Sequence, residues 1–193
     1  MASALDRALT APGLRPLPDE VAGLLRELEA PARLAAHLRA VHDVAWHLLD
    51  WLAAAHPRVR VDRDAVVFGA ATHDIGKAVH TAELSGPGAE HERAGHALLL
   101  ERGVEERLAR FARTHASWSG PDVTLEDLLV SLADKVWKAK RVPDLEQRVV
   151  EHLAAASGLP PWQAFLDLDD VLDRIAAEAD HRLAFQNAHP VRP

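Results

Sequence analysis

The sequence predicts an all-α fold: a single-domain helical bundle of irregular packing. Apolar residues recur at three- and four-residue spacing through most of the chain, and no convincing run alternates as a strand would. Some 48% of the 193 residues are apolar, enough for one substantial core. No internal repeat, low-complexity tract or second domain divides the chain.

Taken in order, the first dozen or so residues are rich in Pro and Ala and read as a loose arm, so residues 1–17 are expected to be flexible. "PDEVAGLLRELEA" follows as a short helix, with Pro18 and Asp19 suited to its start. Pro31 opens a long helix that ends near His56–Pro57. The next helix is capped near Asp62 and ends in "HDIGK". "LSGPGAE" is a loop, and shorter helices are expected at about 89–102 and 105–116. After "SGPDVT", "LEDLLVSLADKVWKAKR" reads as one strong helix through Arg141. Helices at about 143–156 and 160–185 close the domain (18–185), leaving a C-terminal tail, 186–193.

Composition narrows the chemistry. With no cysteine there is no disulfide and no thiolate ligand, which fits a reducing compartment, and the expected location is cytoplasmic. The N-terminal stretch lacks the pattern of a signal peptide, and no apolar stretch approaches the roughly 20 residues of a membrane span. A net charge of −7 argues against broad nucleic-acid binding. Of 12 histidines, nine lie between His37 and His115.

Five helices each place a polar group on or beside an inward face. His37 aligns with Val41, Val44, Ala45 and Leu48, and His73–Asp74 ends the "AVVFGAAT" run. His91 shares a face with Gly95, Leu98 and Leu99; His115 lies with Leu108, Phe111 and Ala112; Asp134 falls between Val130 and Trp137. One such residue alone reads as a hydrogen-bonded core histidine or a capping aspartate. Six on five helices read as a metal site, since burying unpaired polar groups is costly and one cation satisfies several. Imidazole and carboxylate donors without thiolate suit Mn, Fe, Co, Ni or Zn.

The ordered set, an early His, then His73–Asp74 in "HDIGK", then Asp134 in "LADK", resembles the HD-domain superfamily of metal-dependent phosphohydrolases over about residues 33 to 141. "HLRAVHDVA" is similar to the family's first helix, "HERAGHALL" resembles the segment carrying a further ligand, His91, and "RTHASW" the next, His115. The resemblance implies one or two divalent ions: His37, His73, Asp74 and Asp134 around the first, and Asp74, His91 and His115 around the second. His42 is the alternative first ligand. It would put Trp46 and Asp50 where the family usually has small or apolar residues, so His37 is preferred.

Hydrolysis of a small phosphate ester such as a nucleotide is the activity implied, with Asp74 and Lys77 as the catalytic pair. Lys77 lies three residues after Asp74 and is expected near the metal. Lys138 and Arg141, four and seven residues beyond Asp134, are expected on the same face as further phosphate contacts. The competing reading for these two is a solvated basic helix end. Glu83 and Glu92 are candidates only by proximity, and Trp118 and Trp137 either wall the pocket or pack in the core. Two other functions use the same residues: a di-iron oxygenase cleaving a C–C or C–P bond, and a non-catalytic nucleotide-binding sensor. Trp46 and Trp51 are candidate contacts for a homo-oligomer.

Overall fold

A computed structural model describes residues 2–191, and among them every regular element is helical. The long helix α3 (Ala32–Ala55) is the axis of the bundle, and its middle turns are buried all round. It enters at Pro31, whose fixed φ suits a helix start. One side packs Val41, Val44, Ala45 and Leu48 against α4 (Arg63–Thr72), α8 (Leu125–Val136), α9 (Pro143–Ser157) and α10 (Pro161–Ala177). The other side packs Leu34, Ala35 and Leu38 against α1 (Ala4–Thr10), α2 (Asp19–Glu27) and α5 (Glu90–Glu101). His37 sits between these two apolar clusters. Two short helices, α6 (Glu106–Ala109) and α7 (Phe111–Thr114), stand where one was expected, and α11 (Ala179–Asn187) breaks from α10 at Glu178.

Two expectations are corrected. The expected arm, 1–17, is not loose over its described residues, 2–17: α1 is capped by the Ser3 side chain and buries Ala8 and Leu9. The buried Arg39 guanidinium holds this segment, donating to Ala8 O at 2.7 Å and Arg15 O at 3.1 Å, and also to Leu14 O. A charge in the core is tolerable when carbonyls take its protons, and those carbonyls come from the segment itself. The C-terminal stretch is tied in the same way: Arg33 donates to His189 O at 2.8 Å, and its backbone N–H to Pro190 O at 3.0 Å.

The second correction concerns α8. Its start is a complete capping box between Thr124 and Asp127, but it ends at Val136 instead of running to Arg141. Ala139 takes a left-handed φ of 58°, and Lys140 N–H closes on Lys135 O at 3.2 Å. The chain then turns away, so Lys138 and Arg141 leave the face that carries Asp134. No helix of the described residues is long and apolar enough to cross a membrane.

Candidate metal centre

Close backbone contact assembles the site. Asp74 immediately precedes a 3-10 turn, Ile75–Ala78, that follows the end of α4. Gly76 in this turn lies against α5, where a Cβ would sit 2.0 Å from His91 O and 2.6 Å from Gly95 N. Only a residue without a side chain allows that approach, and it draws His91 up to Asp74. Gly69 does the same one helix back: a Cβ there would lie 2.6 Å from the Phe111 ring, so α7 packs tightly on α4 and brings His115 in. α3 supplies His37 and α8 supplies Asp134.

All six predicted donors converge, each 8% exposed or less. His37 Nε2 lies 3.1 Å from Asp74 Oδ2, 3.3 Å from His73 Nε2 and 3.6 Å from Asp134 Oδ1. His73 Nε2 is 3.5 Å from Asp134 Oδ1 and 3.6 Å from Asp74 Oδ2. On the other carboxylate oxygen, Asp74 Oδ1, His91 Nε2 closes to 3.0 Å and His115 Nε2 to 3.5 Å. Two clusters of ligand-spaced atoms therefore share Asp74: His37–His73–Asp74 and Asp74–His91–His115.

The ring nitrogens facing away establish that these donors fit a cation. His73 Nδ1–H donates to Ala70 O at 3.0 Å, His115 Nδ1–H to Phe111 O at 3.2 Å, and His91 Nδ1–H to Glu83 Oε2. Each bond leaves an Nε2 lone pair aimed inward, the arrangement that orients metal-binding imidazoles. Lone pairs and carboxylate oxygens then face one another at close range, and Asp74 Oδ1 and His91 Nε2 are buried with no hydrogen-bond partner. A shared cation satisfies them together, and neutral imidazole with carboxylate is a set suited to divalent transition metals.

Charge within the cluster follows the same logic. Burial would raise the Asp74 carboxyl, but His73, His37 and His91 hold it well below its ordinary value, and Asp134 is lowered for the same reason by His73 and Lys135. Burial lowers His37, and although burial opposes it His73 is raised by Asp74 and Asp134. The two rings stand too close for both to carry a proton, so the pair resolves in favour of one. His115 falls to about 4, through burial and the neighbouring His73.

His37 and not His42 takes the first position. His42 Nε2 instead accepts from Trp46 Nε1–H at 3.2 Å, and Trp46 is half-buried beneath Arg15 and Arg63. Lys77 is in place, its Nζ 2.6 Å from Asp74 Oδ2. Arg141 is not: Glu146 holds its guanidinium bidentately at 3.1 and 2.9 Å, and Asp169 and Asp173 bind it at 2.6 and 2.8 Å. Lys138 is exposed, its Nζ 5.6 Å from the Trp137 ring centroid. Trp137 is itself buried edge-on against His37, a packing role.

The cation that sequence reasoning missed is Lys135, with Nζ 2.6 Å from Asp134 Oδ2 and 5.9 Å from the centroid of the Trp118 ring. Adjacent helical residues point about 100° apart, so counting residues on the Asp134 face passes over Lys135. Long side chains bend back, and Lys135 does.

The fold and site define an all-α protein with a buried His/Asp cluster of metal-ligand spacing. A family model for the HD domain matches residues 20–137, more than half of the chain, and the protein belongs to that family. HD domains bind divalent metals and are generally metal-dependent phosphohydrolases. No match was found among curated proteins or solved structures.

Proposed function

We propose that this protein is a metal-dependent phosphohydrolase acting on a small phosphate ester such as a nucleotide. The observation that carries the proposal is the division of Asp74: one oxygen faces His37 and His73, whose Nε2 atoms also meet Asp134, and the other faces His91 and His115, with lysines against both central carboxylates. His37, His73, Asp74 and Asp134 hold one ion, and Asp74, His91 and His115 a second. Divalent ions there supply Lewis acidity and bring the pKa of water towards neutrality.

The chain's own residues do the rest. Lys77 and Lys135 place positive charge against Asp74 and Asp134 and are partly exposed, so they balance the carboxylates and can receive phosphoryl oxygens when substrate arrives. The Nδ1 tethers of His73, His91 and His115 fix their rings with Nε2 aimed inward. The hydrolase reading is favoured over an oxygenase by this lysine pair, which suits an anionic substrate, and over a sensor by the complete donor set. A net charge of −7 and the lack of cysteine fit a cytoplasmic enzyme of small phosphorylated metabolites.

The test is metal analysis of the purified protein, followed by a screen of phosphomonoesters and phosphodiesters with Mn, Co, Ni, Zn or Fe. Turnover that disappears in Asp74→Asn supports the reading. Two irons per chain with oxygen-dependent turnover would replace it with an oxygenase.

A further inference from the structure

We infer that Glu83 is a positioning residue that builds the second half of the metal centre by fixing His91. The inference rests on the two-ion reading above. The first group of donors comes from α3, the end of α4 and α8. The second adds His91 and His115 from α5 and the end of α7, and His91 occupies the first turn of α5. That turn begins at Ala89 without a side-chain cap from the cap residue. Something else must hold the imidazole, and Glu83 does.

The Glu83 carboxylate arrives from the 3-10 turn Thr81–Leu84 and meets α5 at three points. It accepts the backbone N–H of Glu90 at 3.2 Å and that of His91 at 3.3 Å, so it caps the helix from outside. Its Oε2 also accepts His91 Nδ1–H. One carboxylate thus fixes the start of the helix, the rotamer of the ring and its tautomer. The outcome is at the other nitrogen: His91 Nε2 carries the lone pair and lies 3.0 Å from Asp74 Oδ1. A carboxylate behind a ligating imidazole also raises its basicity as a donor.

Gly88 makes room for this. A Cβ at Gly88 would lie 2.4 Å from both Glu83 Cδ and Oε1. The "SGPG" loop therefore folds over Glu83 with no side chain to displace it, and the loop's glycine serves a residue five positions earlier. His73 and His115, by contrast, give their Nδ1 protons to carbonyls of their own helices. Of the three tethered imidazoles, His91 is the one held by a carboxylate from another segment.

The test counts ions. Metal-free protein is titrated with Mn2+ and followed by metal analysis and by electron paramagnetic resonance, which separates a coupled pair from a single ion. The expected wild-type result is two ions and a coupled signal. In Glu83→Ala the second ion weakens by about 10- to 100-fold and the coupled signal gives way to a single-ion signal, while the first ion binds as before. Glu83→Gln restores part of the second affinity, because its amide oxygen still accepts from Nδ1–H. Gly88→Ala, which leaves Glu83 in place but pushes its flexible carboxylate aside, moves in the same direction as Glu83→Ala.

A wild-type second ion retained at full affinity in Glu83→Ala and Gly88→Ala overturns the inference and leaves the metal centre standing. Equal loss of both ions also overturns it, since that marks a general structural role. Fewer than two ions in the wild type overturns the two-ion reading itself and the inference with it.

Discussion

His91 Nε2 stands 3.0 Å from Asp74 Oδ1, and neither atom has a hydrogen-bond partner. The contact exists because Gly76 and Gly95 let a 3-10 turn and a helix touch through their backbones. With Nδ1 of His91 donating to Glu83, two electron-rich atoms face each other in a buried space. Such a meeting is stable only when a cation lies between them or a proton is taken up.

Gly76→Ala is expected to be among the most damaging single substitutions. Its Cβ would fall 2.0 Å from His91 O, a backbone atom that cannot swing aside. Displacing α5 should cost about 2–4 kcal/mol by overpacking and separate His91 from Asp74. Gly95→Ala, where the nearest atom is at 3.0 Å, should cost less. Urea unfolding of both variants checks the order, and loss of activity should follow Gly76→Ala more closely.

Removal of metal should lower stability measurably. An ion that binds only the folded state contributes about 2.7 kcal/mol at a hundredfold excess over its Kd, or roughly 5–10 °C in Tm for a chain of this size. Thermal unfolding with and without a chelator reads the shift. In Asp74→Asn, which weakens both half-sites at once, added metal should move Tm little.

The two pairs of cations separate in their effects. Lys77→Ala and Lys135→Ala are expected to reduce kcat/KM by about 10- to 1,000-fold with both ions still bound, because they remove charge from the substrate side of the site. Lys138→Ala should leave turnover unchanged. Arg141→Ala should leave the chemistry alone yet cost about 1–3 kcal/mol, since the buried Glu146 loses its bidentate partner. Steady-state kinetics together with denaturation midpoints distinguish the four.

What the sequence revealed and concealed follows one division. The donors were legible because apolar periodicity makes a polar residue on an inward face conspicuous, and His37, His73, His91, His115 and Asp134 each break such a face. Arg141 was misplaced because the chain turns after α8 at Ala139, at positive φ, a position where glycine would have signalled the turn and alanine does not. The structured N-terminus depends on Arg39 reaching carbonyls more than twenty residues away, a tertiary bond that no local pattern records. Glu83 stayed weak for a similar reason: its role arises from the path of a loop.

Stability should fall with acid through His42. Burial lowers its pKa to about 4 from an ordinary 6.5. The unfolded chain therefore takes up the proton first as pH falls below 6.5, and the folded state follows only near 4. Stability from this group is complete above 6.5 and declines through that window, by about 2 kcal/mol between pH 7 and pH 5. His42→Gln, which cannot titrate, should flatten the decline by that amount in urea unfolding at the two pH values. An unchanged slope would show that His42 titrates normally.

The most direct measurement is a crystal structure of the protein soaked in Mn2+, with anomalous scattering used to locate the ions. The account predicts two peaks, one enclosed by His37, His73, Asp74 and Asp134 and one by Asp74, His91 and His115. Ions found elsewhere, or no peak touching Asp74 at saturating Mn2+, would contradict it.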